Sequence, residues 1–297
     1  MKDSSTIDYT SQQFGGEGEG DLGDGLGLSK VHNSAQAVRQ SCNPSKTEGR
    51  IKDEGTVIAY PQGSMMKIRR GVEFASASQV IGGIRGKIKG FSRASRRRLM
   101  EKVAQLRRDL IPLFVTLTYP SLYPSDSREY KRHLDNFRRR MVRKFPGCGV
   151  IWRLEFQKRG APHYHLLVWG VSYVELLIWV SKAWYEVVGS GDEKHLRAGT
   201  RVEWIRSWRG VWSYVSKYVA KVGDGEDELE VGRWWGYWGE LPYSASVFLR
   251  VADKDVVQLL RYARRYSGVR SRCWWAFTLF CSPDVWLDKL KIPVAVV

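Results

Sequence analysis

The chain has 297 residues, 43% hydrophobic and 27% charged, enough for one large or two small globular domains. Its 48 Lys and Arg against 31 Asp and Glu leave a net charge of +17, which points to a polyanionic partner, most commonly nucleic acid, and away from a cationic one. Four scattered cysteines without a CxxC pair argue against a zinc knuckle or a disulfide framework. With no signal-like stretch and no apolar run near the ~20 residues of a membrane span, the expectation is a cytoplasmic protein without membrane contact.

Residues 1 to about 60 are rich in Gly, Ser, Asp and Glu; GGEGEGDLGDGLGLS has almost no bulky side chains and reads as a disordered acidic arm. Residues 61–110 form a basic lead-in. Between Arg85 and Arg108 stand ten Lys or Arg and one Glu. Ser95 to Leu110 has helical spacing, with Leu99, Val103 and Leu106 on one side and a nearly continuous positive face on the other. Arg96, Arg97 and Arg98 on this helix are expected to track phosphates, a solvated face being the alternative.

Residues 111–223 read as the core. Leu113 to Tyr119 (LFVTLTY) alternates like a strand. Ser127 to Phe145 is a basic helix with Leu134, Phe137, Met141 and Phe145 as its apolar stripe, and Arg138 and Arg139 as further expected DNA contacts. Val150–Phe156 and His163–Trp169 are strands joined by QKRGAP. Val174 to Val188 is an apolar helix, Arg201 to Arg206 a strand and Val211 to Val222 a helix. The order β-α-β-β-α-β-α predicts an α+β fold, a central antiparallel sheet with helices packed on it. Residues 224–297 form a Trp-rich extension with GRWWGYWG and a helix from Lys254 to Tyr266.

His163 and His165 are two apart in a strand, so both leave the same face, opposite Tyr164, Leu166 and Val168. A hairpin centred on Arg159 puts Glu155 directly across from His163, with Cβ atoms roughly 5 Å apart. Two imidazoles and a carboxylate suit Mg²⁺ or Mn²⁺, with zinc chemically possible; Glu155 reads alternatively as a cross-strand partner for an arginine. In WSYVSKYVAK (212–221), Tyr214, Lys217, Tyr218 and Lys221 fall at i, i+3, i+4 and i+7, one helix face. An amphipathic helix with snorkelling lysines would look the same. A phenol is a poor nucleophile at neutral pH, since its reference pKa is about 10, but nearby Lys⁺ and a metal both favour the phenolate. The histidine pair lacks a nucleophile and the tyrosine helix lacks an electrophile activator, so the two motifs complement each other.

Three motifs in order resemble the HUH endonuclease superfamily, in particular the replication-associated proteins of small single-stranded-DNA phages and rolling-circle plasmids: FVTLTY (Phe114 to Tyr119), PHYHLLV with His163 and His165, and YVSKYVAK. GFSRASRRRL and GRWWG resemble phage relatives as well, and the likeness covers roughly residues 85 to 240. The resemblance implies an HUH-type (RRM-like) core, Glu155 as the third metal ligand, and the two-tyrosine subclass. It implies a replication initiator that nicks and religates origin DNA through a 5′-phosphotyrosine, with the freed 3′ hydroxyl priming a polymerase. It also implies Lys217 and Lys221 as phosphate or leaving-group contacts. Thr116 and Thr118 would line the DNA-binding face, simple sheet packing being the other reading. No GxxxxGK[ST] occurs, so a host helicase is the expected partner. An HUH-type relaxase or transposase, or a non-catalytic single-strand-binding protein, remain the alternatives.

Overall fold

The computed structural model describes residues 50–73, 90–220, 231–268, 275–281 and 283, with only the backbone described at 50, 73 and 218–220. Most of the expected acidic arm therefore lies outside the described residues. The last part of that arm is a correction: β1 (Arg50–Ile51) and β2 (Glu54–Tyr60) are strands. Their alternation is short, and the Gly-rich composition upstream masks it.

In chain order there follow β3 (Met65–Arg69), β4 (Val72–Glu73), α1 (Arg93–Ala104), β5 (Leu113–Thr118), α2 (Ser127–Lys144), β6 (Gly149–Phe156) and β7 (Pro162–Trp169). Then come α3 (Tyr173–Val188), α4 (Glu193–Ala198), β8 (Thr200–Trp204), α5 (Trp208–Ala220), β9 (Trp235–Gly239), β10 (Val247–Ala252), α6 (Asp253–Ser267) and β11 (Ala276–Leu279). The fold is α+β and its sheets are antiparallel, as the element order predicts. The main sheet runs β8-β5-β7-β6-β9; a second runs β10-β2-β3-β11; β1 and β4 form a ribbon. The sequence boundaries at 61 and 224 fall among paired strands, since β10 pairs with β2 and β9 with β6.

Local chemistry explains the element ends. α3 starts at a capping box: Ser172 Oγ accepts from the Glu175 N–H at 3.3 Å and donates to the Glu175 carboxylate at 2.7 Å. It stops at Gly189, whose φ of 64° suits glycine. α1 ends at Ala104, six residues earlier than its spacing predicts. The carbonyls of Ala104 and Gln105 accept from Ser64 and Ser244 N–H at 2.7 and 2.8 Å, so they are not left for the helix. Leu106 is still buried, as an isolated bridge to Tyr243.

Period-two alternation gives the main sheet two covered faces. On one, Val115, Leu117, Tyr164, Leu166 and Leu154 pack beneath Leu134, Phe137 and Met141 of α2 and Val180 and Trp184 of α3. On the other, Ile151, Leu167 and Trp169 meet Leu99 and Val103 of α1 and Val211 and Val215 of α5. The second sheet packs Val57 and Ile68 against Val256 and Leu260 of α6.

Trp184 joins core to site. Its ring is fully buried among Tyr119, Phe137 and Tyr164, and its Nε1–H donates to the Thr118 carbonyl at 2.8 Å. Replacing Trp184 by Ala is expected to cost about 3–5 kcal/mol in chemical denaturation. Trp184→Phe keeps most of the ring packing and loses only the hydrogen bond, so it should cost less; a Phe variant as stable as wild type would refute the hydrogen-bond contribution.

Candidate active site

The turn between β6 and β7 sets the register. Gln157 N–H donates to the Ala161 carbonyl at 2.9 Å, and Gly160 has a φ of 81°, which glycine adopts without Cβ strain. Glu155 therefore pairs with His163 and Arg153 with His165, the centring on Arg159 that the spacing predicts. On the other side of β7, Thr118 pairs with His163 and Thr116 with His165. Six side chains from three strands thus share one face.

Arg159 locks the turn to β5. Its guanidinium donates to the carbonyls of Tyr119 at 2.6 Å and Pro120 at 2.7 Å, and to Gln157 Oε1 at 2.9 Å. Sequence reasoning used Arg159 only as a centre of symmetry; a single turn arginine carries no pattern of its own.

The two threonines are engaged with the imidazoles. Thr118 Oγ1 lies 3.1 Å from His163 Nδ1, and Thr116 Oγ1 lies 3.3 Å from His165 Nδ1. These contacts help to fix the orientation of the two rings. His165 Nε2 lies 3.1 Å from Glu155 Oε2, and both side chains are about one-eighth exposed, at 12% each. Glu155 thus has a histidine as one of its cross-strand partners. Burial, and then the neighbouring His165 ring, push the His163 pKa down to about 4, so its ring is neutral at pH 7.

α5 crosses this face. The Tyr214 ring meets Phe114 edge-on at 4.4 Å between centroids and His165 at 5.7 Å, while Phe114 stacks on His165 at 5.4 Å and 16°. Phe114 was not singled out from the sequence, although it shares the period-two face of Thr116 and Thr118. Lys217 is exposed. The Tyr218 backbone lies in α5 one turn after Tyr214, and Lys221 falls outside the described residues.

The five arginines expected on DNA divide. Arg96 is buried, at 5% exposure; its Nε–H donates to the Phe91 carbonyl at 2.8 Å and its guanidinium stands 5.2 Å from the Phe91 ring centroid. That corrects its expected role, and the reason is helical: Arg96 stands three residues before Leu99 and seven before Val103, on the buried stripe. Arg97 is paired with Glu101 at 2.7 Å. Arg138 and Arg139 both hold Asp135, at 2.7 and 2.8 Å. Arg98 and Arg139 are exposed.

Among the described residues, no group of three or more His, Cys, Asp and Glu is already spaced as a metal site. The donor set nonetheless has the right chemistry. A carboxylate can only accept, so a proton occupies the gap between His165 Nε2 and Glu155 Oε2. A divalent cation bound there would replace that proton. With each Nδ1 turned to a threonine hydroxyl, Nε2 is the nitrogen of each ring that could take a cation.

Residues 112–223 match a family model for replication-associated proteins of the ORF2 type, a span containing every residue of this site. Two curated proteins of Xylella fastidiosa, both provisionally named as replication proteins, are similar. That of strain 9a5c is 28% identical over 184 residues, 57% of this chain and 63% of its own length. That of strain Temecula1 is 26% identical over 186 residues, 57% of this chain and 68% of its own length. The chain thus spans about two thirds of the length of these relatives. No solved structure gives a significant match.

His133, His163 and His195 all have pKa values lowered first of all by burial. A folded-state pKa below the ordinary 6.5 means that the unfolded chain takes up protons first as pH falls. Stability is therefore present above pH 6.5 and declines as pH drops towards the folded values. Melting temperature should fall between pH 7 and pH 5, and His133→Gln should flatten that limb. A pH-independent melting temperature across this window would contradict the burial of these rings.

Proposed function

We propose that this chain is a replication initiation protein that nicks and rejoins single-stranded DNA at an origin. The similarity of residues 112–223 to a replication-associated family supports the biological role. The observation that carries the chemistry is the packing of Tyr214 against His165, on the sheet face that also bears Glu155 and His163.

In the forward step, the Tyr214 oxygen loses its proton and attacks the phosphorus of a phosphodiester. The bond from phosphorus to the 3′ oxygen breaks, and that oxygen takes up a proton. The products are a 5′-phosphotyrosine and a free 3′ hydroxyl, which a polymerase extends. In the reverse step a 3′ hydroxyl attacks the phosphotyrosine and restores the diester. The bond energy is retained in the adduct, so rejoining needs no nucleotide cofactor.

His163 and His165 through Nε2, and Glu155 through its carboxylate, would hold Mg²⁺ or Mn²⁺. The ion would polarise the scissile phosphate and offset charge developing on it. Thr116 and Thr118 keep the two rings oriented, and Phe114 fixes the distance between His165 and Tyr214. Lys217, three residues after Tyr214, supplies a cation for a phosphate oxygen. Tyr218 supplies a second phenol on the same helix for a second round of cutting, with Lys221 beyond it. The DNA partner is a single strand at the origin, with unwinding and synthesis done by a separate helicase and polymerase.

With Mn²⁺ and an origin-derived single strand, the wild-type chain is expected to form a covalent adduct stable to denaturation. The Tyr214→Phe, Tyr218→Phe double variant should form none. An adduct that persists in the double variant, or one that forms equally in EDTA, would sink the proposal. A non-catalytic binder would shift the DNA in EDTA and leave no adduct under any condition.

Thr118→Val removes one hydroxyl with little change in shape. Calorimetric titration with Mn²⁺ should show metal affinity reduced by about 10- to 100-fold, the usual cost of losing a hydrogen-bond partner behind a ligating histidine. Unchanged affinity would remove Thr118 from the site.

A further inference from the structure

β8 is one edge of the main sheet. The direction of its outer backbone groups follows from the pairing with β5. That register sets Gly199 opposite Thr118, and the Thr118 N–H donates to the Gly199 carbonyl at 2.8 Å. Opposed residues of an antiparallel ladder alternate between pairs that exchange hydrogen bonds and pairs that do not. Arg201 and Glu203, opposite Thr116 and Phe114, therefore turn their N–H and C=O groups towards β5. Those of Thr200, Val202 and Trp204 point outward, and among the described residues no backbone group is bonded to them. Such an edge is a template for a further strand.

The side chains of this edge are self-complementary. If two copies of β8 pair antiparallel about Val202, Val202 meets Val202, Thr200 meets Trp204 and Arg201 meets Glu203. The three outward residues then all fall in pairs that exchange hydrogen bonds, so every outward group is satisfied. Arg201 and Glu203 fall in the closer pairs, with Cα atoms roughly 4.5 Å apart. Within one chain these two side chains pair with each other at 2.8 Å, and Arg201 is 74% exposed. Across the axis each would gain an opposite charge from the second copy. An edge guarded against self-pairing would set like charges there instead.

α3 carries an apolar flank beside the same edge. Its other flank meets α2, where Trp179 packs on Phe137 and Phe145 and Glu186 holds Arg140. Tyr173 and Ser181 face away from α2: Tyr173 stacks on Trp204 of β8 at 5.0 Å, and Ser181 donates to the Leu196 carbonyl. Leu177 stands one turn from each of them and shares their flank. Val174, Leu177, Ile178 and Trp204 are 44% to 73% exposed. Large apolar side chains grouped on a surface in this way mark an interface.

We propose that the chain forms an isologous dimer through this edge: two copies of β8 pair about Val202, and the two α3 helices meet beneath them through Val174 and Leu177. The inference stands whether or not the chain nicks DNA. The two-fold axis through the Val202 pair is perpendicular to the sheet, so both histidine faces lie on the same side of the joined sheet. The two candidate active sites thus face the same way.

Sedimentation equilibrium of the full chain over a range of concentrations is expected to show monomer and dimer in exchange. Arg201→Glu sets like charges together at two symmetric points and should raise the dimer dissociation constant by about tenfold or more. Adding Glu203→Arg to that variant restores opposite charges in this register and should recover the dimer. Val174→Asp, in the first turn of α3 where a negative charge suits the helix, should weaken the dimer without altering the circular dichroism of the monomer. A single-chain mass at every concentration, as expected if a segment of the chain itself covers this edge, would overturn the proposal. So would a dimer that neither Arg201→Glu nor Val174→Asp weakens. An Arg201→Glu defect that the double variant fails to recover would overturn the pairing about Val202.

Discussion

Antiparallel pairing of β6, β7 and β5 is the constraint on which the candidate site depends. Side chains in a strand alternate faces, so a slip of one residue would turn every polar group of the site into the core. Three independent features oppose such a slip. Tyr164 and Leu166 are fully buried on the α2 and α3 side; the Gly160 turn fixes the hairpin; and Arg159 ties that turn to the end of β5. The apolar residues between the histidines therefore hold the histidines' register.

The end of β5 is held just as firmly. The Thr118 carbonyl accepts from Trp184 Nε1–H at 2.8 Å and lies 2.9 Å from His195 Nε2, while its N–H donates to the Gly199 carbonyl at 2.8 Å. Because a carbonyl can only accept, His195 carries its proton on Nε2 and accepts at Nδ1 from Ser190, 2.8 Å away. A side chain at position 199 would collide with this ring, since a Cβ there would stand 2.3 Å from His195 Cδ2. The short helix α4 and the glycine after it thus hold Thr118, the partner of His163, through its backbone.

Charge is distributed less simply than the net value suggests. Much of the arginine excess is consumed within the fold: Arg96 and Arg153 lie on the Phe91 ring at 5.2 and 4.0 Å, and Glu101 and Asp135 each hold two cations. Other cations sit on aromatic rings: Lys131 stands 4.8 Å from the Trp152 centroid and Lys102 stands 4.4 Å from that of Tyr237.

The sequence by itself determined the alternation and helical spacing of the core, hence the α+β class, the shared face of His163 and His165, the pairing of Glu155 with His163, and the placing of Tyr214, Lys217 and Tyr218 along one helix. These follow from periods of 2.0 and 3.6 residues, which act over a few residues and are written directly in the chain. It did not reveal β2, β3, β10 and β11, where Leu279 pairs with Met66 and Ala252 with Glu54 from opposite ends of the described chain, nor the burial of Arg96. It also left open whether Thr116 and Thr118 lined a DNA-binding face or served sheet packing, and it did not show their contacts with the histidines. Those outcomes depend on what packs opposite each face, and only the tertiary structure, by laying α5 across β5 and β7, brought Tyr214 to His165.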